Sequence, residues 1–122
     1  MGKTVIVIDD SQTIREQVGT TLRQAGFEIV EAVDGVDGAE VIGRTPDAAL
    51  VICDVNMPNR GGLELLEDIR KDESRKALPV LMLTTEGQPQ LIERARKSGA
   101  KGWIVKPFKA DLLLAAVRKL TS

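Results

Sequence analysis

The chain has no histidine and no tyrosine, and Cys53 is its single cysteine. Without histidine it cannot build a Ser-His-Asp triad or a histidine-ligated metal centre. Nor can it carry a phosphohistidine, so chemistry of that kind needs a partner. Without tyrosine it offers neither a phosphotyrosine nor a phenolic acid. A lone cysteine rules out an intrachain disulfide and fits a reducing compartment. An excess of one charge is also missing: 17 Lys and Arg stand against 18 Asp and Glu, a net charge of −1. No basic stripe points to nucleic acid, and no acidic block points to a disordered tail. The N-terminal apolar run reaches Asp9-Asp10 within a few residues, too short for a signal peptide or a membrane span. The expectation is a cytoplasmic protein with no nucleic-acid or membrane partner, monomeric by default.

What is present is a set of short apolar runs that each end on a polar marker. Val5-Ile6-Val7-Ile8 leads to Asp9-Asp10, and Ala49-Leu50-Val51-Ile52-Cys53 leads to Asp54. Pro79-Val80-Leu81-Met82-Leu83 leads to Thr84, and Gly102-Trp103-Ile104-Val105 leads to Lys106-Pro107. Amphipathic segments separate the runs, a pattern of repeated βα units around a parallel sheet. With 122 residues and no linker, repeat or low-complexity stretch, residues 1–122 read as one domain.

The first helix should start behind Ser11, a good N-cap, carry Ile14, Val18, Leu22 and Ala25 inward, and stop at Gly26. Residues 28–32 read as a half-exposed strand and Asp34-Gly35 as a turn. Val36 to Gly43 reads as a second helix, weakened by its glycines. A third helix follows Gly61-Gly62, with Leu63, Leu66 and Ile69 on one face and charges on the other. Pro89 suits the first turn of a fourth helix, with Leu91, Ile92 and Ala95 inward and Gly99 at its end. A fifth runs from about Lys109 to Leu120 on an inner stripe of Leu113, Val117 and Leu120. The fold expected is α/β, a doubly wound (βα)₅ domain with sheet order 2-1-3-4-5 and helices on both faces. That order sets strands one and three side by side at the switch point, where such sheets bind ligands.

A parallel sheet delivers the carboxyl ends of its strands to one edge, so the polar markers should meet there. Asp9, Asp10 and Asp54 in one place repel one another, which a divalent cation relieves. Mg²⁺ suits such a site, since it takes one or two carboxylates, keeps waters and accepts phosphate oxygen; Mn²⁺ is an admissible substitute. Asp10 and Asp54 are candidates for direct ligation, the backbone carbonyl of Asn56 for a further oxygen, and Asp9 for holding a coordinated water. Three carboxylates, Lys106 and a divalent cation sum to about zero charge, so a phosphoryl dianion can approach. Asp54, at a central strand end, is the candidate nucleophile for an aspartyl phosphate. Lys106 would neutralise the phosphoryl oxygens and the Thr84 hydroxyl would donate to one of them. The modified cluster would be about one unit more negative, which should draw Thr84 and its loop inward.

In this pattern the chain resembles a response-regulator receiver domain, and more narrowly the single-domain chemotaxis regulators of the CheY type. Asp9-Asp10, Asp54, Met57-Pro58, Gly62, Thr84 and Lys106-Pro107-Phe108 occur in order at receiver-like spacing. The resemblance implies a flavodoxin-like fold, Asp54 as phosphoacceptor, Asp9 and Asp10 as the acidic pocket, and Asn56 as the carbonyl ligand. It also implies Thr84 as the switch hydroxyl, Lys106 as the pocket lysine and a cis Lys106-Pro107 bond. Asn56 and Glu86 match the two positions that tune hydrolysis, and their pairing implies rapid dephosphorylation. The function implied is a stand-alone response regulator with no output domain, not a turnover enzyme. It would be phosphorylated by a CheA-like sensor histidine kinase and read by a target such as a flagellar motor switch protein. A phosphate sink, or a relay receiver in a pilus or other pathway, is the alternative.

One departure concerns Trp103, which stands where the family's rotating aromatic is usually tyrosine or phenylalanine. Either the indole stays outside as part of a docking surface, or the pocket behind it is wider than usual. Lys101, Trp103 and Leu114 are the candidate partner surface. Plainer readings stand beside these. Asp9-Asp10 alone reads equally as an acidic helix start, Lys106 alone as a solvated lysine and Cys53 as a buried strand thiol. A haloacid-dehalogenase-type phosphatase also uses Asp, Mg²⁺, Thr and Lys. Its nucleophile follows the first strand in an Asp-x-Asp pattern, however, which Asp9-Asp10-Ser11 does not match.

Overall fold

The computed structural model describes residues 2–122. Strands β1 (Thr4–Ile8), β2 (Glu28–Ala32), β3 (Leu50–Cys53), β4 (Val80–Thr84) and β5 (Gly102–Val105) form one parallel sheet in the order β2-β1-β3-β4-β5. Helices α1 (Gln12–Gln24), α2 (Gly35–Arg44), α3 (Gly62–Lys71), α4 (Pro89–Lys97) and α5 (Ala110–Thr121) alternate with them, and a 3₁₀ turn spans Glu73–Arg75. The expected doubly wound topology is the one observed.

Period two along each strand sorts the core into two layers. Val5, Val7, Leu50, Ile52, Leu81 and Leu83 face one side, where Val18 and Leu22 of α1 and Leu113 and Val117 of α5 cover them. Ile6, Ile8, Val51, Cys53, Val80 and Met82 face the other, under α2, α3 and Ala95 of α4. Apart from Thr4, which is half-buried, the three central strands are buried throughout, and only Thr4 and Thr84 in them are polar, while β2 and β5 at the edges are more exposed. Each fully buried Leu or Ile contributes about 1.5–3 kcal/mol relative to exposure, so these layers hold the strand ends in register.

Local signals explain most boundaries. The Ser11 hydroxyl caps α1 by accepting the Ile14 N–H, and Gly26 and Gly99 follow α1 and α4 with φ of 96° and 94°. Four details differ from expectation. Asp34 is the N-cap of α2 rather than a turn residue: its buried carboxylate accepts the Asp37 N–H at 2.8 Å, so the helix starts at Gly35 and runs to Arg44. Leu91 and Ile92 are only half-buried, because α4 rests on the edge of the sheet and only Ala95 meets the core squarely. On α5 the inner stripe ends on Thr121, whose hydroxyl returns to the Val117 carbonyl, with Leu120 half-buried beside it. Thr84 is the last residue of β4 rather than the first beyond it.

Candidate functional site

At the carboxyl edge, β1 and β3 lie side by side and diverge into helices on opposite faces, which opens a crevice between their ends. Asp9 sits at its floor, 2% exposed, with every polar atom engaged. Its N–H donates to the Ala32 carbonyl at 3.1 Å and its carbonyl accepts Arg15 Nη1 at 2.7 Å. One carboxylate oxygen accepts the Ser11 N–H at 2.9 Å and the other accepts Lys106 Nζ at 2.6 Å. Asp10, the next residue, is exposed. Its carboxylate is thus presented to incoming groups while that of Asp9 is held.

Asp54 closes the other wall. Its N–H donates to the Ile8 carbonyl at 3.1 Å, its Oδ1 accepts the Asn56 N–H at 3.3 Å and its Oδ2 accepts Lys106 Nζ at 3.0 Å. Helix α3 starts directly against it: a Cβ on Gly62 would lie 1.9 Å from the Asp54 carbonyl oxygen, so only glycine allows this approach. Asp9, Asp10 and Asp54 each offer one oxygen within 4.8 Å of the others. This hard, all-oxygen donor set fits Mg²⁺ and does not suit a soft metal.

Lys106 reaches the crevice from the end of β5, where its peptide to Pro107 is cis and its N–H donates to the Thr84 carbonyl at 2.8 Å. Burial pulls its ammonium down, but the hydrogen bonds and charges of Asp9 and Asp54 outweigh that and hold it above its usual value. For Asp9 the balance falls the other way. Burial raises its carboxyl above the ordinary range, against the hydrogen bond from Lys106, the Ser11 N–H and the lysine charge, and the Asp54 charge adds to the rise. Burial also pushes the Cys53 thiol far up, helped by the charges of Asp54 and Asp9, so it is no nucleophile.

Thr84 is fully buried, and its hydroxyl accepts the Glu86 N–H at 3.3 Å. The carbonyl of the same Glu86 accepts the Trp103 indole N–H at 2.8 Å. Trp103 is half-buried, packed on the core layer under α4, so a two-bond path joins Thr84 to the indole. Trp103 and Lys101 line a cleft of about 230 Å³ with Ile92, Ala95 and Arg96. Leu114 does not share it. That residue lines a separate groove between α1 and α5 with Thr21, Gln24 and Arg118, and the exposed leucine of α5 is Leu112 rather than Leu114.

One residue that sequence reasoning passed over belongs to the site. Arg15 grips the Asp9 carbonyl and is itself held by Glu31 of β2 at 2.9 Å. Its signal was available, since helical side chains lean toward the N-terminus and Arg15 lies one turn behind Ser11.

Comparison with known proteins agrees with this geometry. The family model for the response regulator receiver domain matches residues 5–118. The chemotaxis protein CheY1 of Helicobacter pylori is 38% identical over 110 residues, 89% of each chain. The chemotaxis response regulator CheY4 of Vibrio cholerae superposes with a TM-score of 0.91 at 36% identity, covering 98% of this chain and 99% of that one. The chain is also similar to CheY in a CheX-CheY-BeF3-Mg complex from Borrelia burgdorferi, with TM-score 0.92, 28% identity and coverage of 98% and 90%. A matching family model over nearly the whole chain, CheY-type relatives and a carboxylate crevice bridged by lysine agree: this protein belongs to the response regulator receiver domain family.

Proposed function

We propose that the protein is a phosphorylation-activated signalling switch whose phosphoacceptor is Asp54. The observation that carries the reading is the Lys106 ammonium bridging Asp9 at 2.6 Å and Asp54 at 3.0 Å beside the exposed carboxylate of Asp10. An Asp54 oxygen attacks phosphorus, the P–N bond of a phosphohistidine breaks, and the electron pair leaves with the imidazole. Since this sequence carries no histidine, the donor would sit on a partner, for which a sensor histidine kinase is the fitting class. Asp10, Asp54 and the Asn56 carbonyl would hold Mg²⁺, with Asp9 holding a coordinated water. Bound there, the cation offsets charge on the phosphoryl oxygens.

Lys106 needs little movement to follow the phosphoryl group, since its ammonium already touches the acceptor carboxylate. The Thr84 hydroxyl receives one bond and keeps its proton to donate. Drawing Thr84 inward pulls on Glu86, and through the Glu86 carbonyl on Trp103 and the cleft it lines. Altered protein binding at that cleft, to a chemotaxis target such as a motor switch protein, is the output.

Titration with Mg²⁺ and then beryllofluoride or acetyl phosphate, followed by tryptophan emission, tests this directly. Trp103 is the only tryptophan, so the signal reports from the end of the path. The native chain should respond and Asp54→Asn should lose the phosphodonor response while keeping its fold. An equal response from both would overturn the assignment.

A further inference from the structure

The connection from β3 to α3 contains a backbone conformation that its own residues do not favour. Asn59 has φ of 68°, and the Arg60 N–H donates to the Pro58 carbonyl at 2.7 Å across it. That is a γ-turn centred on a residue in the left-handed region, a rare and strained arrangement that asparagine tolerates better than most. Such strain persists only where the surroundings impose it. Here the surroundings are the start of α2. Asn59 Nδ2 donates to Asp34 Oδ2 at 2.6 Å, and the Gly35 N–H donates to the Arg60 carbonyl at 3.1 Å. The approach is tight, since a Cβ on Gly35 would lie 2.3 Å from that carbonyl oxygen. The Arg60 guanidinium also pairs with Asp68 of α3.

Asp34 is itself immobilised. Its Oδ1 caps α2 through the Asp37 N–H, and its carbonyl accepts the Gly38 N–H at 2.7 Å. At the other end, the connection is pinned where the Asn56 N–H meets Asp54 and the Gly62 N–H meets the Val55 carbonyl. The Asn56 carbonyl, the backbone oxygen assigned to the cation, lies between these two anchors.

We propose that Asp34 is a positioning residue for cation binding: through Asn59 it holds the turn at the tip of the connection, and thereby the Asn56 carbonyl, in place. The proposal rests on the metal-assisted reading of the site given above. It makes the cap of α2 serve two tasks, one carboxylate oxygen for the helix and the other for the neighbouring connection.

The test is a Mg²⁺ titration of the full chain followed by backbone amide NMR shifts, with the metal-free melting temperature measured beside it. Asn59→Asp keeps the size and the tolerance of positive φ but sets two carboxylates against each other. The added negative charge alone would tighten Mg²⁺ binding, whereas loss of the latch should weaken it about tenfold, as loss of an outer partner of a ligand does. Combining Asp34→Asn with Asn59→Asp reverses the direction of the hydrogen bond, keeps a capping side chain and returns the native net charge. It should restore the affinity to within about twofold of native. Asn59→Gly, which adopts the turn without the amide, should weaken binding with no added charge, and it decides the matter if Asn59→Asp does not fold. Unchanged or tighter binding in the variant that decides, or an exchange that fails to restore affinity, would overturn the proposal. If the native chain binds Mg²⁺ and the variants bind it equally, this inference alone falls. If the native chain binds none, it falls together with the reading on which it rests.

Discussion

Asp9 and Asp10 are adjacent in sequence and opposite in circumstance. The burial that fixes Asp9 also disfavours its charge, so the metal-free site stores a penalty that a cation would relieve. Its folded pKa lies above the reference value of 3.8. Stability from this group is therefore complete below 3.8 and is lost as pH rises through the elevated folded value. Asp9→Asn should accordingly stabilise the metal-free protein at neutral pH and raise its melting temperature. The gain should shrink toward pH 4 as the native carboxyl takes up its proton, a trend thermal melts across pH would reveal. A lower neutral-pH melting temperature would mean that the Lys106 bond outweighs desolvation. At this scale the sequence is a good guide to residue type and a poor one to partners. Asp9, Asp54, Thr84 and Lys106 can be named from the strand ends, but Arg15 and the Trp103 bond to Glu86 depend on side-chain reach that spacing does not encode.

Between elements, the charged face of α3 does more than meet solvent. Glu67 accepts two hydrogen bonds from Arg94 of α4, at 3.1 and 3.2 Å, and a third from Ser98, while Arg70 donates to the carbonyls of Lys76, Leu78 and Gly99. The sequence pattern marks this face only as charged, because periodicity separates inside from outside without saying which exposed charges meet. The hydrogen bonds from Arg94 hold the Glu67 carboxyl below its reference value of 4.5, with Ser98 assisting. A lowered folded pKa contributes stability above 4.5 that disappears as pH falls through the folded value. Both side chains are more than a third exposed or close to it, so solvent screening keeps the contribution to about 0.5 kcal/mol. Glu67→Gln should be destabilised by that amount at pH 7 and approach the native chain as pH falls below the folded pKa of Glu67, as paired denaturant titrations would establish. An equal deficit on both sides of that pKa would show packing rather than charge at work. The α2 boundary carries a similar lesson: Asp34 followed by glycine has the composition of a turn, and it is the Asp37 N–H on its carboxylate that distinguishes a cap from it.

Across the whole molecule, strand order and both core layers are legible because period-two burial and right-handed crossovers leave few alternatives. That same architecture brings chemically unlike groups, distant in sequence, to one rim. Lys106 meets Asp9 across 97 residues and Asp54 across 52. The grooves are less legible. Trp103 and Lys101 share one, Leu114 lies in another, and helix rotation decides the difference.

The single thiol also lends the molecule a built-in stopwatch. Cys53 is 1% exposed at the centre of the sheet, and its sulfur sits over the Asp54 carbonyl. An alkylating reagent can find it only during excursions that part the middle strands, so modification counts those excursions. Since a cation binding only the closed form makes them rarer, alkylation should slow as Mg²⁺ is added and recover with chelator, without any engineered label.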